Sequence, residues 1–186
     1  MRSISDRLIC VEPMTSITLN TTREDHRIAW FTALAVVIHV AEGALPSPLP
    51  GVKPGLANVV TIAVLLLYGW RLAAWVALLR VIIGSIVVGT FLSPTFMLSF
   101  AGAGAAALAL AAASQLPGRG FGPIGFSLLA SLSHMAAQFW VAYVLFIPHP
   151  GLLALLPVLL SVATLTGLIN GMITIWMLKA VYANRS

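Results

Sequence analysis

What this chain has least of is charge: only 8% of its 186 residues are Asp, Glu, Lys or Arg. A water-soluble domain of this length carries roughly 25%, because its surface must be hydrated. A soluble globule is therefore excluded. Acidic residues are the scarcest, five in all, and Asp6, Glu12, Glu24 and Asp25 fall within the first 27 positions. Only Glu42 follows them. No aspartate cluster can hold magnesium on a diphosphate, and neither a zinc motif nor a nucleophile elbow is present. Catalysis by this chain alone is not expected. Cysteine is nearly absent too: Cys10 stands alone, which rules out an intrachain disulfide and a Cys-based metal site. No cofactor or metal is expected. The formal net charge of +5 comes from ten Lys and Arg that are scattered, with no basic run interleaved with aromatics, so nucleic acid is not an expected partner. Gly118-Arg119-Gly120-Phe121-Gly122 has the look of a phosphate loop, but it follows no strand and lacks the spacing. It reads as a turn.

What is there is apolar surface. Hydrophobic residues make up 60% of the chain and mean hydropathy is +1.01, so the solvent for most of it is the lipid bilayer. Residues 1–27 form a polar leader, within which Met14 is an alternative start. The first apolar run begins at Ile28, too far in for a secretory signal and without a small-x-small cleavage site before Pro46. Stretches near the roughly 20 residues that span hydrocarbon fall at 28–45, 56–70, 72–89, 95–115, 123–147 and 152–182. These predict an all-α polytopic membrane domain of about six transmembrane helices over 28–182. Arg2, Arg7, Arg23, Arg27, Arg71, Arg119, Lys179 and Arg185 then share one side, against Lys53 and the neutral His149 on the other. The positive-inside rule puts both termini in the cytoplasm.

Small residues crowd the fourth span from Ala101 to Ala113, and Gly167/Gly171 and Ser127/Ser131 repeat at four-residue spacing. Such faces let helices approach closely where lipid offers no hydrophobic drive. Internal packing is favoured over a homodimer face.

Glu42, Asn58, Arg80, His134, Gln138 and Asn170 interrupt the apolar spans, with His39 one turn before Glu42. A charge at the bilayer centre costs at least about 2.5–3.5 kcal/mol on insertion scales, so these side chains need a partner or a wet cavity. Counting along each span puts His39, Glu42 and Asn58 near the outside, Arg80 near the middle, His134 and Gln138 in the middle to outer part and only Asn170 in the inner half, which suggests a pocket opening outward. The second span, about 15 residues or about 22 Å, is short, and Pro50-Gly51-Val52-Lys53-Pro54-Gly55 before it reads either as a loop dipping into the protein or as a plain external loop. In the first case Lys53 joins Arg80 at an anionic ligand. The bland alternatives are an Arg80–Glu42 structural ion pair and a His134 that merely packs.

The run Pro50-Gly51-Val52-Lys53-Pro54-Gly55-Leu56-Ala57-Asn58-Val59-Val60-Thr61, followed by Leu79-Arg80 and Gly89-Thr90-Phe91-Leu92-Ser93-Pro94, resembles a bacterial membrane family. It is called Gx transporter, or heptaprenyl diphosphate synthase component I, and the likeness covers about residues 28–180. The first name implies a fold like the six-helix S components of energy-coupling-factor (ECF) transporters, in the bacterial inner membrane. In those, small residues of the first helix dock on a coupling protein driven by ATPases; Ala29 and Ala33 have that spacing here. The second name implies a noncatalytic partner of a prenyltransferase subunit. Two functions follow as expectations. One is an uptake subunit whose small-molecule ligand is bound by Glu42, Lys53, Asn58, Arg80, His134 and Gln138. The other is an accessory membrane subunit of polyprenyl diphosphate synthesis or of a membrane redox complex. A plain membrane scaffold is the third possibility.

Overall fold

A computed structural model describes residues 22–44, 56–115 and 121–183, and the side chains of all but 42–44 and 56. The first helix, α1 (Arg23–Ala44), starts at a reciprocal cap. The Thr22 backbone N–H and hydroxyl both donate to the Asp25 carboxylate (2.7 and 2.8 Å), and the Asp25 N–H donates to the Thr22 hydroxyl. Each group satisfies an end the helix leaves open. Those bonds, the backbone N–H foremost, hold the Asp25 carboxyl below its usual range. A depressed folded pKa means the cap contributes above the unfolded pKa and is lost as pH falls through the folded one. Amide exchange in the first turn of α1, corrected for intrinsic rates, is therefore faster at pH 3 than at pH 6; equal protection at both would refute the cap's contribution.

Helices α2 (Leu56–Tyr68) and α3 (Trp70–Val88) are joined by Gly69 alone. Its φ of 94° is open to glycine and strained for other residues. From Val59 to Leu65 every residue of α2 is buried. A helix apolar on all faces belongs inside a protein, and α2 packs against α1, α3, α5 and α7. This explains its 13 residues, about 20 Å of helix. Walled by protein, it is not obliged to match the bilayer. The remaining long helices surround it, with α1 on α3, α3 on α4 (Pro94–Ser114), α4 on α5 (Pro123–Val141), and α5 on α7 (Leu156–Ala183).

The ends follow the breaks in the sequence. Ser93 caps α4, its hydroxyl accepting from the Phe96 N–H (3.3 Å), and Pro94 takes the first helical position. α5 runs on as a π-helical segment, Ala142–Phe146, and the short α6 (Pro150–Leu153) is capped by His149, whose ring accepts from the Gly151 N–H. Among the described residues, four stretches are long and apolar enough to cross a membrane: Trp70–Val88, Pro94–Ser114, Pro123–Phe146 and Pro150–Ala183. The all-α membrane bundle expected from the sequence is borne out. Trp30, Trp75, Leu108, Trp140 and Trp176 stand exposed on its outside, as a lipid-facing surface allows.

The small-residue pairs meet inside the bundle. Ser127 is fully buried and donates to the Gly167 carbonyl at 2.7 Å. A methyl at Gly167 would lie 3.1 Å from Ser131 Oγ. So the Ser127/Ser131 ridge of α5 sits on the Gly167/Gly171 groove of α7. Ser127→Ala should lower stability by about 0.6 kcal/mol, the average for interhelical hydrogen bonds in a membrane. The shift is measured in an SDS unfolding titration, and an unchanged midpoint would count against the bond.

Candidate functional site

Helices α3, α4, α5 and α7 each carry a polar residue or a glycine within an apolar stretch. From Val88 back to Arg80 on α3, from Pro94 to Gly102 on α4, from Ala142 back to His134 on α5, and from Val162 to Asn170 on α7, the separation is eight residues. At 1.5 Å per residue that is about 12 Å along each axis. The upper members of these pairs rim a hollow of about 800 Å³, and Arg80, His134 and Asn170 lie at its bottom. The start of α2, Ala57 and Asn58, also lines it.

Arg80 is buried, and its Nη2 donates to Asn58 Oδ1 at 3.1 Å. That bond ties the guanidinium to the first turn of α2. His134 rests against Gly102: a methyl there would lie 2.8 Å from both Cε1 and Nε2 of the ring and 2.9 Å from Gln138 Cγ. Only glycine leaves this much room on α4. His39 makes the matching contact on α3, where a methyl at Gly84 would meet its Cδ2 at 3.1 Å. Beneath the floor lies a second void of about 10 Å³, lined by Asn58, Thr61, Arg80 and His134 among others. It is about the size of one water. His134 Nδ1 and Thr61 Oγ1 are both buried and have no hydrogen-bond partner within the protein.

Ser85, Ser99, Ser131, Thr166 and Gln138 line the hollow, and toward the ends of α3, α4 and α5 Val88, Phe96, Phe146 and Ile147 line it together with Thr90 and Thr95. The arrangement can bind an anion at the bottom, accept and donate hydrogen bonds along the side, and cover an apolar body.

Residues 31–177 match the family model described as heptaprenyl diphosphate synthase component I. The chain belongs to that family. No curated protein and no solved structure matches it significantly.

Of the residues that the sequence nominated in this component I chain, Asn58, Arg80, His134 and Gln138 converge on the hollow, as does His39. Glu42 is on α1, three residues beyond His39, with its side chain outside the described residues; Lys53 lies wholly outside them. Ala29 and Ala33 are exposed on α1. Asn170, assigned by counting to the inner half, lines the same hollow. The hydroxyls were missed. Ala163, Thr166 and Asn170 recur at three- and four-residue spacing on one face of α7, a pattern that would have found that wall.

Proposed function

We propose that this chain is an integral membrane substrate-binding subunit that takes up a small anionic molecule with the help of partner subunits. The observation that carries this reading is the hollow of about 800 Å³ with the buried Arg80 guanidinium at its bottom. Pockets of about 300–1,000 Å³, mostly apolar with a few convergent polar groups, are the usual form of small-molecule sites. Arg80, Asn58, His134 and Gln138 make the floor and lower wall. Lys53 joins them at the anion, and Glu42, one turn beyond His39, balances Arg80 while no ligand is bound.

The hollow opens at the end of the bundle away from Arg27, Arg71 and Lys179. Arg27 and Arg71 lie over the rings of Tyr68 and Trp70 at the opposite end. With positive residues inside, both termini are cytoplasmic in a bacterial inner membrane and the hollow faces outward. The sequence has no nucleotide-binding motif, so energy comes from an ECF-type coupling protein with its ATPases, seated on Ala29 and Ala33, or from an ion gradient.

The family description supports a second reading, a noncatalytic component I working beside a prenyltransferase subunit in heptaprenyl diphosphate synthesis. One experiment separates the two. Wild-type protein and Arg80→Ala are purified from their native host in mild detergent, and bound proteins and small molecules are identified by mass spectrometry. The uptake reading expects a small molecule present with wild type and lost with Arg80→Ala, while membrane insertion is unchanged. Stable capture of a prenyltransferase subunit, with no small molecule that depends on Arg80, would displace it in favour of the second reading.

A further inference from the structure

The last turn of α5 decides which of its residues reach the hollow. Up to Ala142 the helix lines it at α-helical spacing, through Ser131, His134, Met135, Gln138 and Ala142. At 3.6 residues per turn each residue advances about 100°. Continued α-winding would bring Leu145 and Phe146 near that face and turn Ile147 about 140° past it. The residues that line the hollow are instead Phe146 and Ile147, while Val144 and Leu145 stand exposed without lining it. The π-helical segment Ala142–Phe146 makes the difference. Its closing bond runs from the Ile147 N–H to the Ala142 carbonyl at 2.9 Å, five residues back where an α-helix reaches four. One extra residue is held in the turn, and Ile147 comes to stand above Ala142.

The sequence supplies a reason for the exit. Pro148 disfavours the α region at the residue before it, and Ile147 leaves the helix at φ −138° and ψ 76°. π turns inside α-helices are rare and gather at functional sites. None of the residues in this one is buried, and Ile147 is 53% exposed. Its apolar surface is free to be covered.

Resting on the uptake reading, we propose that Ile147 is a ligand-contacting residue, placed in the hollow by the extra residue of the π turn. The part of the ligand that lies against Phe146 and Ile147 is apolar, since contact there removes hydrocarbon surface from water.

Cysteine reactivity reads the winding. Cys10→Ser removes the one native thiol, and Val144→Cys, Leu145→Cys and Ile147→Cys are made singly in full-length protein in phosphatidylcholine nanodiscs. The probe is a water-soluble cationic methanethiosulfonate. Ile147→Cys should react at least ~10-fold faster than the other two, because a thiol against lipid ionises poorly. Deleting Val144 from the Ile147→Cys protein returns the turn to α spacing and keeps that cysteine above Ala142, so its rate should hold. A slow Ile147→Cys that speeds up on the deletion means that the turn is α-wound, and overturns the proposal.

Contact is read by mass spectrometry of the small molecules retained through purification from the native host in mild detergent. Ile147→Val should keep the Arg80-dependent molecule at the wild-type level. Ile147→Asn should keep about tenfold less, the cost of pressing an unpaired amide against an apolar group. Ile147→Ser replaces it if the asparagine protein does not insert. Full retention by the polar variant overturns the contact and leaves the uptake reading standing. If wild type itself retains no molecule that depends on Arg80, both fall.

Discussion

Gly102→Ala should weaken ligand binding in the hollow by roughly tenfold or more, while Gly104→Ala, two residues along the same helix, should leave it unchanged. The added methyl at Gly102 would sit 2.8 Å from Cε1 and Nε2 of His134 and 2.9 Å from Gln138 Cγ, against a comfortable carbon–carbon separation of about 3.5–4.0 Å. Something must move by more than half an ångström. The α4 backbone is held on both sides by α3 and α5, so the imidazole and the glutamine stem are what give way. Binding groups need placement to within about 0.5 Å, so both are lost as contacts. At Gly104 an added methyl has no neighbour within 4 Å, and alanine favours the helix. Ligand titration of the two variants, with their unfolding midpoints measured alongside, is the check. Equal affinity in both would mean that His134 and Gln138 do not hold the ligand.

Nothing in the sequence distinguishes these two glycines. They sit in an almost unbroken run of alanine and glycine, and which of them a ring leans on depends on how α5 is rotated. The same limit explains what else was and was not legible. Spans could be read because hydrocarbon thickness imposes a length, and breaks such as Ser93-Pro94 and the single Gly69 are local chemistry. The convergence of Asn58, Arg80, His134 and Gln138 was legible because buried polar groups must share a cavity or a partner.

Depth was harder to read. Counting from the end of a span works when the helix matches the membrane, but α7 has 28 residues, about 42 Å, against a hydrocarbon core of about 30 Å. Its surplus length displaces the count, and Asn170 lines the same hollow as Arg80. The shortness of 56–70 admitted a dipping loop or a plain one before it. The structure adds a reason for the shortness itself, since α2 is walled by four helices and its length is set by the protein around it. Its first described side chains, Ala57 and Asn58, line the hollow. Thr61 shows the cost of such a site: its hydroxyl is buried beneath the floor with no hydrogen-bond partner. Thr61→Val should therefore leave the unfolding midpoint unchanged or raise it, since removing an unsatisfied hydroxyl removes a desolvation penalty.

Gly171→Val should be the most damaging single change in the bundle, lowering stability by about 3 kcal/mol or more. A methyl at this position would lie 2.7 Å from the Cα of Ile124, a backbone atom at the start of α5, with Ile124 Cγ1 and Cβ at 3.2 and 3.3 Å. A side chain can rotate aside, but a Cα cannot move without its helix. Overpacking a well-filled interior commonly costs 1–3 kcal/mol, and here the wedge enters the most extensive helix contact of the fold. Separating α5 from α7 near Gly171 also pulls on the Ser127 bond to the Gly167 carbonyl (2.7 Å) one turn away. Gly167 offers the graded comparison. Its added methyl would meet Ser131 Oγ at 3.1 Å and the Leu128 Cα at 3.2 Å, tight but less severe, so Gly167→Ala should fall between wild type and Gly171→Val. Reversible unfolding of all three proteins in mixed micelles gives the order. If Gly171→Val unfolds at the wild-type midpoint, α5 and α7 do not pack as closely as described, and the wall that carries His134 and Asn170 is not rigid.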